Sequence, residues 1–273
     1  MYSEHVQYTD SHHRERERAA RRAKAPSLLL TLLEAPRALS EASTLIPAHG
    51  MLTGLDPGDG HAVMALPGFM TSGRSTSILR RYIQKWGYHA NSWGLGRNLG
   101  FTRDRDLENL LDKKLRELFE LSGGTVSLVG WSLGGLLARE MARRQPDLVR
   151  SVITLGSPLG NPKATNAWRL YEMMSGFKVR DKKIRRRVRL VREPIPGVPV
   201  TSILSKTDAV VSWEISRLPP GDLVENIGIT GSHIGMGFNP AVLFAIADRL
   251  RQKEGDWSPF EIAGMRNLFY YHA

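Results

Sequence analysis

Val126-Ser127-Leu128-Val129-Gly130-Trp131-Ser132-Leu133-Gly134-Gly135 is the stretch whose reading decides the fold. A short apolar run ends in a serine with glycines two before and two after it. The residues that follow, Leu136-Leu137-Ala138-Arg139-Glu140-Met141-Ala142, place apolar and small side chains at helical spacing. The pattern predicts a strand, a tight reversal and a helix. A reversal that sharp crowds the backbone around Ser132, and Gly130 and Gly134 remove the Cβ atoms that would clash there. The serine hydroxyl is then held clear of the sheet, beside a helix N-terminus. A bare G-x-S-x-G arises by chance, so the strand and helix around it carry the weight.

Outward from this point the chain alternates strand and helix. Ala62 to Leu66 reads as a buried strand stopped by Pro67-Gly68, and Ser77 to Trp86 as a helix ended by Gly87. Tyr88 to Trp93 is a weaker strand. Asp104 to Leu121 is a strong helix, with Leu107, Leu110, Leu111, Leu115, Leu118 and Phe119 expected on one face. After the Ser132 helix, which stops near Gln145-Pro146, come strands at Leu148 to Leu155, Val198 to Leu204 and Leu223 to Ile229, the last expected. A helix over Pro240 to Gln252 closes the series. The alternation predicts an α/β fold: a mostly parallel central sheet flanked by helices, with right-handed crossovers.

Two regions stand outside this pattern. Residues 1–25 form a polar, basic tail with the run Arg14-Glu15-Arg16-Glu17-Arg18, and residues 26–60 a helical extension. Ser27 to Leu45 is an amphipathic helix candidate, interrupted near Pro36. The second region is an insertion over 160–199, dividing a body of 61–159 and 200–273. Its first part, Ala164 to Met174, reads as a helix; its second, Lys178 to Arg189, is strongly basic.

Bulk properties narrow the function. A chain of 273 residues with 41% hydrophobic content builds a sizeable core. There is no cysteine, so thiol chemistry, disulfides and cysteine-based metal sites are excluded. The irregular spacing of His5, His12 and His13 argues against a metal site. Leu28 to Leu33 is too short and too soon interrupted for a membrane span. The charged lead is long and no small-x-small site follows, so no cleaved signal is expected, although Arg21-Arg22 precedes the leucines. The expected location is cytoplasmic, with membrane association left open. The net charge of +11 raises nucleic acid or an anionic lipid surface as partners. The basic run of the insertion lacks interleaved aromatics, which weighs against nucleic acid.

A serine hydroxyl is a weak nucleophile and needs a base within hydrogen-bond reach, itself oriented by an acid. After Ser132 the only histidines are His233 and His272. His272 is the penultimate residue, where fraying would position a base poorly. His233 sits in the glycine-rich loop Gly231-Ser232-His233-Ile234-Gly235, after the last expected strand. Asp208 ends the run Ser202-Ile203-Leu204-Ser205-Lys206-Thr207-Asp208, where it would accept the imidazole proton; its bland reading is an Asx-turn residue. Asp222 competes but precedes its strand. A developing oxyanion needs aimed N–H groups. Leu133 supplies one, and the loop Leu66-Pro67-Gly68-Phe69-Met70 the other, through Phe69 with Met70 as the fallback.

Together, Leu66-Pro67-Gly68-Phe69, Gly130-Trp131-Ser132-Leu133-Gly134-Gly135, Gly156-Ser157-Pro158, Asp208 and Ser232-His233 resemble the α/β-hydrolase superfamily, in its lipase and carboxylesterase branch. The resemblance covers about His61 to Gln252. It implies an eight-stranded sheet, a cap between the sixth and seventh strands, which falls on 160–199, and ester hydrolysis without a cofactor. The expected activity is that of a serine carboxylic-ester hydrolase on a small-molecule or lipid ester. Met70, Trp131, Trp168, Tyr171, Met173 and Met174 are the candidates for the substrate pocket. An acyltransferase with the same triad is the alternative, and a non-catalytic ligand-binding shell the third reading. Oligomeric state is left open.

Overall fold

The computed structural model describes residues 18–101 and 106–273. The early histidines and the run from Arg14 to Glu17 lie outside these, as do Asp104 and Arg105. The elements are, in chain order, α1 (Leu28–Leu32), α2 (Glu34–Thr53), β1 (Ala62–Leu66), α3 (Ser77–Lys85), β2 (His89–Ser92), α4 (Leu107–Ser122), β3 (Val126–Trp131), α5 (Leu133–Arg144) and β4 (Val149–Leu155). There follow α6 (Trp168–Ser175), α7 (Lys182–Arg192), β5 (Val200–Ser205), α8 (Trp213–Ser216), β6 (Val224–Ile229), α9 (Pro240–Leu250) and β7 (Tyr270–His272).

Among the described residues the sheet has seven strands in the order β2-β1-β3-β4-β5-β6-β7. Every pair is parallel except β6 and β7. This corrects two expectations. The sheet is not eight-stranded among these residues, and β6 is not its last strand. Tyr270–His272 pairs antiparallel on β6, with His272 opposite Ile227, so its backbone is held on a sheet edge rather than frayed.

Strands buried on both faces read as continuous apolar runs, and β1 is buried throughout. Its alternate residues enter different cores. Met64 and Leu66 pack with Leu107, Leu111 and Leu115 of α4 and Leu137 and Met141 of α5. Val63 and Ala65 pack with Leu52 of α2, Leu79 and Ile83 of α3, and Leu243 and Ile246 of α9. The helices therefore lie on both sides of one sheet.

Helix α4 starts at Asp106, whose side chain accepts the Asn109 N–H, and stops at Gly123, which takes a left-handed φ of 68°. Its apolar face differs from the expected one at Leu110, which is 38% exposed while Leu111 is fully buried. The N-terminal helix also departs from expectation. The break falls at Leu33, not Pro36, and α2 then runs to Thr53. Pro36 is the third residue of α2, where the missing N–H costs no intrahelical bond. Pro47 is accommodated inside the helix.

Between β4 and β5 the chain forms two helices where the sequence suggested one helix and a basic tail. The basic run is α7. It turns Ile184 and Val191 inward and exposes Lys182, Lys183, Arg185, Arg186 and Arg189. Arg192, at the end of the helix, donates to the Leu159 and Arg217 carbonyls, and Arg187 turns inward as well. Arg187 pairs with Glu108 of α4 and, at 2.7 Å, with Glu140 of α5, and its guanidinium lies 3.6 Å from the Phe101 ring centroid. Arg187 is therefore a strut between α7 and the body, not part of the outer cationic face.

The α4 register makes a direct prediction. Leu111→Ala should lower stability by about 2–5 kcal/mol, because a cavity opens in the core. Leu110→Ala should stay within about 0.5 kcal/mol. Urea unfolding midpoints of the two variants check this.

Candidate active site

Ser132 joins β3 to α5 with φ 53° and ψ −122°. Only Ser132 and Met70 combine a side chain with positive φ among the described residues. Such a conformation costs on the order of 1–3 kcal/mol and persists only where the surroundings impose it. The surroundings here are close-packed backbone. A Cβ on Gly134 would lie 2.4 Å from the Leu66 carbonyl oxygen, and one on Gly130 would lie 2.4 Å from the backbone of Gly134 and Gly135. The Ser132 N–H donates to the Leu155 carbonyl at 2.8 Å, which ties the turn to the end of β4.

Asp208 and His233 come from the loops after β5 and β6. His233 Nδ1 donates to Asp208 Oδ2 at 2.7 Å, and both side chains are buried. Oδ1 of Asp208 accepts the N–H groups of Val210 and Val211, each at 2.8 Å. The carboxylate thus closes an Asx turn with one oxygen and orients the imidazole with the other. Burial works to lower the imidazole pKa, but the Asp208 carboxylate, helped by Glu34, prevails and raises it above 6.5. With Nδ1 protonated toward Asp208, Nε2 is left as the basic nitrogen. Gly156, at φ 52°, lies against this pair; a Cβ there would be 2.9 Å from Asp208 Oδ2 and 3.1 Å from His233 Nδ1. Gly156 directly follows Leu155, the partner of the Ser132 N–H, so the serine turn and the His–Asp pair share one backbone corner. Ser132 Oγ makes no hydrogen bond to the imidazole in this state.

The loop 67–71 approaches the serine from β1. A Cβ on Gly68 would lie 3.4 Å from Ser132 Cβ. The Met70 N–H, the fallback among the expected oxyanion donors, is committed to the Asn98 carbonyl at 2.7 Å. Leu133 opens α5, where the first amides have no intrahelical partner.

A narrow cavity opens at Ser132. Phe69, Leu133 and Leu136 line it from the body, Trp168 and Tyr171 from α6, and Val188 from α7. The Phe69 and Tyr171 rings meet edge to face at 5.7 Å between centroids. Burial pushes the Tyr171 hydroxyl up to about 12, so it stays protonated.

The expected pocket residues divide. Trp168 and Tyr171 line the cavity, whereas Met70, Trp131, Met173 and Met174 do not. Met173 is 72% exposed because α6 turns that face outward. Trp131 is a strut: its indole N–H donates to the His233 carbonyl at 3.1 Å, and its ring packs on Gly237.

Two kinds of residue escaped the sequence reading. Asn98 is fully buried and binds the 67–71 loop through Nδ2 to the Pro67 carbonyl, its N–H to the Thr71 carbonyl, and its carbonyl to the Met70 N–H. Its only sequence signal is a glycine-rich, non-periodic neighbourhood. Glu34 is the other. It sits on the inward face of α2 with Ala38 and Leu52, a carboxylate where the helical stripe calls for an apolar residue. Among the described residues, no cluster of His, Asp and Glu able to hold a metal ion occurs.

Comparison with known proteins follows the same lines. The model of the alpha/beta hydrolase fold family matches residues 62–229. The mature lipase BlEst2 of Bacillus licheniformis superposes with a TM-score of 0.54 at 17% identity, over 72% of this chain and 96% of that one. Lipase B of Aspergillus fumigatus gives 0.54 at 16% identity, over 72% of this chain and 54% of that one. A structure of the metagenome-derived lipolytic enzymes LipS and LipT gives 0.56 at 15%, over 72% and 95%. A curated relative, the biotin biosynthesis bifunctional protein BioHC of Teredinibacter turnerae, is 38% identical over 64 residues. That stretch is 23% of this chain and 10% of the relative. The strained serine turn, the sheet order and the family match agree: the chain belongs to the alpha/beta hydrolase fold family.

Proposed function

We propose that the protein is a serine hydrolase of carboxylic esters, with Ser132 as nucleophile, His233 as base and Asp208 as the orienting acid. The observation that carries this reading is the buried His233–Asp208 pair, 2.7 Å apart, sharing a backbone corner with a serine that opens onto an apolar cavity. The lipases and lipolytic enzymes whose fold it shares are consistent with it.

Ser132 Oγ attacks the acyl carbon while His233 Nε2 takes its proton. The Leu133 and Phe69 amides receive the oxyanion. The imidazolium, stabilised by Asp208, returns the proton to the departing alcohol. Water then attacks the acyl-serine by the reverse path, releasing the acid and restoring the hydroxyl. The cavity wall of Phe69, Leu136, Trp168 and Tyr171 takes an apolar acyl group.

The direct test is hydrolysis of p-nitrophenyl esters from acetyl to palmitoyl, with wild type beside Ser132→Ala. Activity should disappear in the variant, and Trp168→Ala should alter the chain-length preference more than Met173→Ala. Folded wild type inert on every ester would overturn ester hydrolysis and favour acyl transfer to another acceptor.

The base must be neutral to act, and its pKa is raised. The kcat/KM of wild type should therefore fall as pH drops, with a midpoint higher than that of an ordinary histidine. Asp208→Asn removes the main cause of that rise and the tautomer control. It should cost about 10⁴-fold in kcat and move the midpoint downward. Stopped-assay pH profiles of both proteins read this out.

A further inference from the structure

Both loops of the proposed triad end on one helix that the family match does not include. Glu34, 1% exposed, divides its carboxylate between them. Oε1 accepts the Ala209 N–H at 2.9 Å and Oε2 the Ile234 N–H at 3.0 Å. Ala209 follows Asp208, and Ile234 follows His233. One turn along α2, Arg37 donates to the carbonyl of Thr207, the residue before Asp208, at 2.8 Å, and lies 3.6 Å from Glu34. Two turns along, Glu41 accepts the N–H of Ser232, the residue before His233, at 2.5 Å, and the Asn239 side-chain amide at 3.0 Å. The residues on either side of Asp208 and of His233 are thus held by side chains of α2.

Resting on the triad reading above, we infer that Glu34 is a positioning residue for the reaction, a buried carboxylate clamp that fixes the acid loop against the base loop, with Glu41 as its second support. Nothing about the loops alone requires such a clamp. Both loops are irregular, that of His233 is glycine-rich, and the spacing between Asp208 and His233 must hold through a change of charge on the imidazole. A carboxylate accepting one N–H from each loop sets that spacing directly, and it places negative charge near the imidazolium that forms during catalysis. Neither Glu34 nor Glu41 lines the cavity, so the effect reaches substrate only through the base.

Glu34→Gln separates this from a purely structural role. The amide has nearly the same shape, but its NH2 would face an N–H where a carboxylate oxygen accepted, so one loop is released. The expected result is a kcat about 10- to 100-fold lower, the range that small misplacements of a reacting group produce, with KM within about twofold. The midpoint of His233, followed by imidazole NMR in the full chain, should move down. Leu39→Ala, on the exposed face of the same helix, should change neither. The inference is overturned if folded Glu34→Gln melts earlier yet keeps the wild-type kcat and His233 midpoint. Should Glu34→Gln not fold, Glu34→Asp, which keeps the charge and loses the reach, should lose kcat with KM unchanged; wild-type kcat would overturn the clamp. The NMR arm is independent of any ester. A shifted His233 midpoint in Glu34→Gln, with wild type inert on every ester, would sustain the clamp on the His233–Asp208 pair while rejecting the proposed reaction.

Discussion

Ser132 must sit at φ 53° for its hydroxyl to stand at the carboxyl end of the sheet, and much of the surrounding structure exists to hold it there. The conformation is unfavourable on its own. It persists because β3 is packed on both faces of the sheet and α5 is packed on one of them, leaving the turn no room to relax. Gly130 and Gly134 allow that packing, and the Leu155 carbonyl ties the serine amide to the next strand. The position of His233 follows from the same corner. Gly156 gives way to the His233–Asp208 pair, and Trp131, adjacent to the serine, grips the His233 carbonyl.

Electrostatics gives the site its direction. A buried imidazole flanked only by apolar groups would lose its proton affinity. Here the Asp208 carboxylate, with Glu34 behind it, reverses that penalty and leaves the ring more basic than in water. Each carboxylate is itself satisfied by backbone N–H groups: Val210 and Val211 for Asp208, Ala209 and Ile234 for Glu34. Buried negative charge of this kind is held by fixed dipoles, so little rearrangement is needed when the imidazole changes charge.

The periodicity of the chain made the sheet and its flanking helices legible, because strands buried on both faces and helices with apolar stripes leave strong patterns. The serine, the histidine and the aspartate were also legible, through their places after β3, β6 and β5. What the sequence hid were contacts between segments far apart in the chain. Trp131 was expected among the pocket residues, but the fold turns its indole to the His233 carbonyl. Arg187 stands in the sequence as one of a strongly basic run, and only the fold shows two acids from other helices beneath it. Strand β7 is too short to show alternation, and it exists only because β6 offers an open edge.

The segment that marks this chain as a family member, 62–229, stops short of His233 and starts after α2. A likeness between sequences therefore outlines the scaffold and leaves His233 on one side of it and α2 on the other. The N-terminal helix looks dispensable by that outline, yet it reaches the Asp208 and His233 loops from almost two hundred positions away along the chain. Loosening this helix would therefore disturb the Asp208 and His233 loops without touching any residue of the cavity wall.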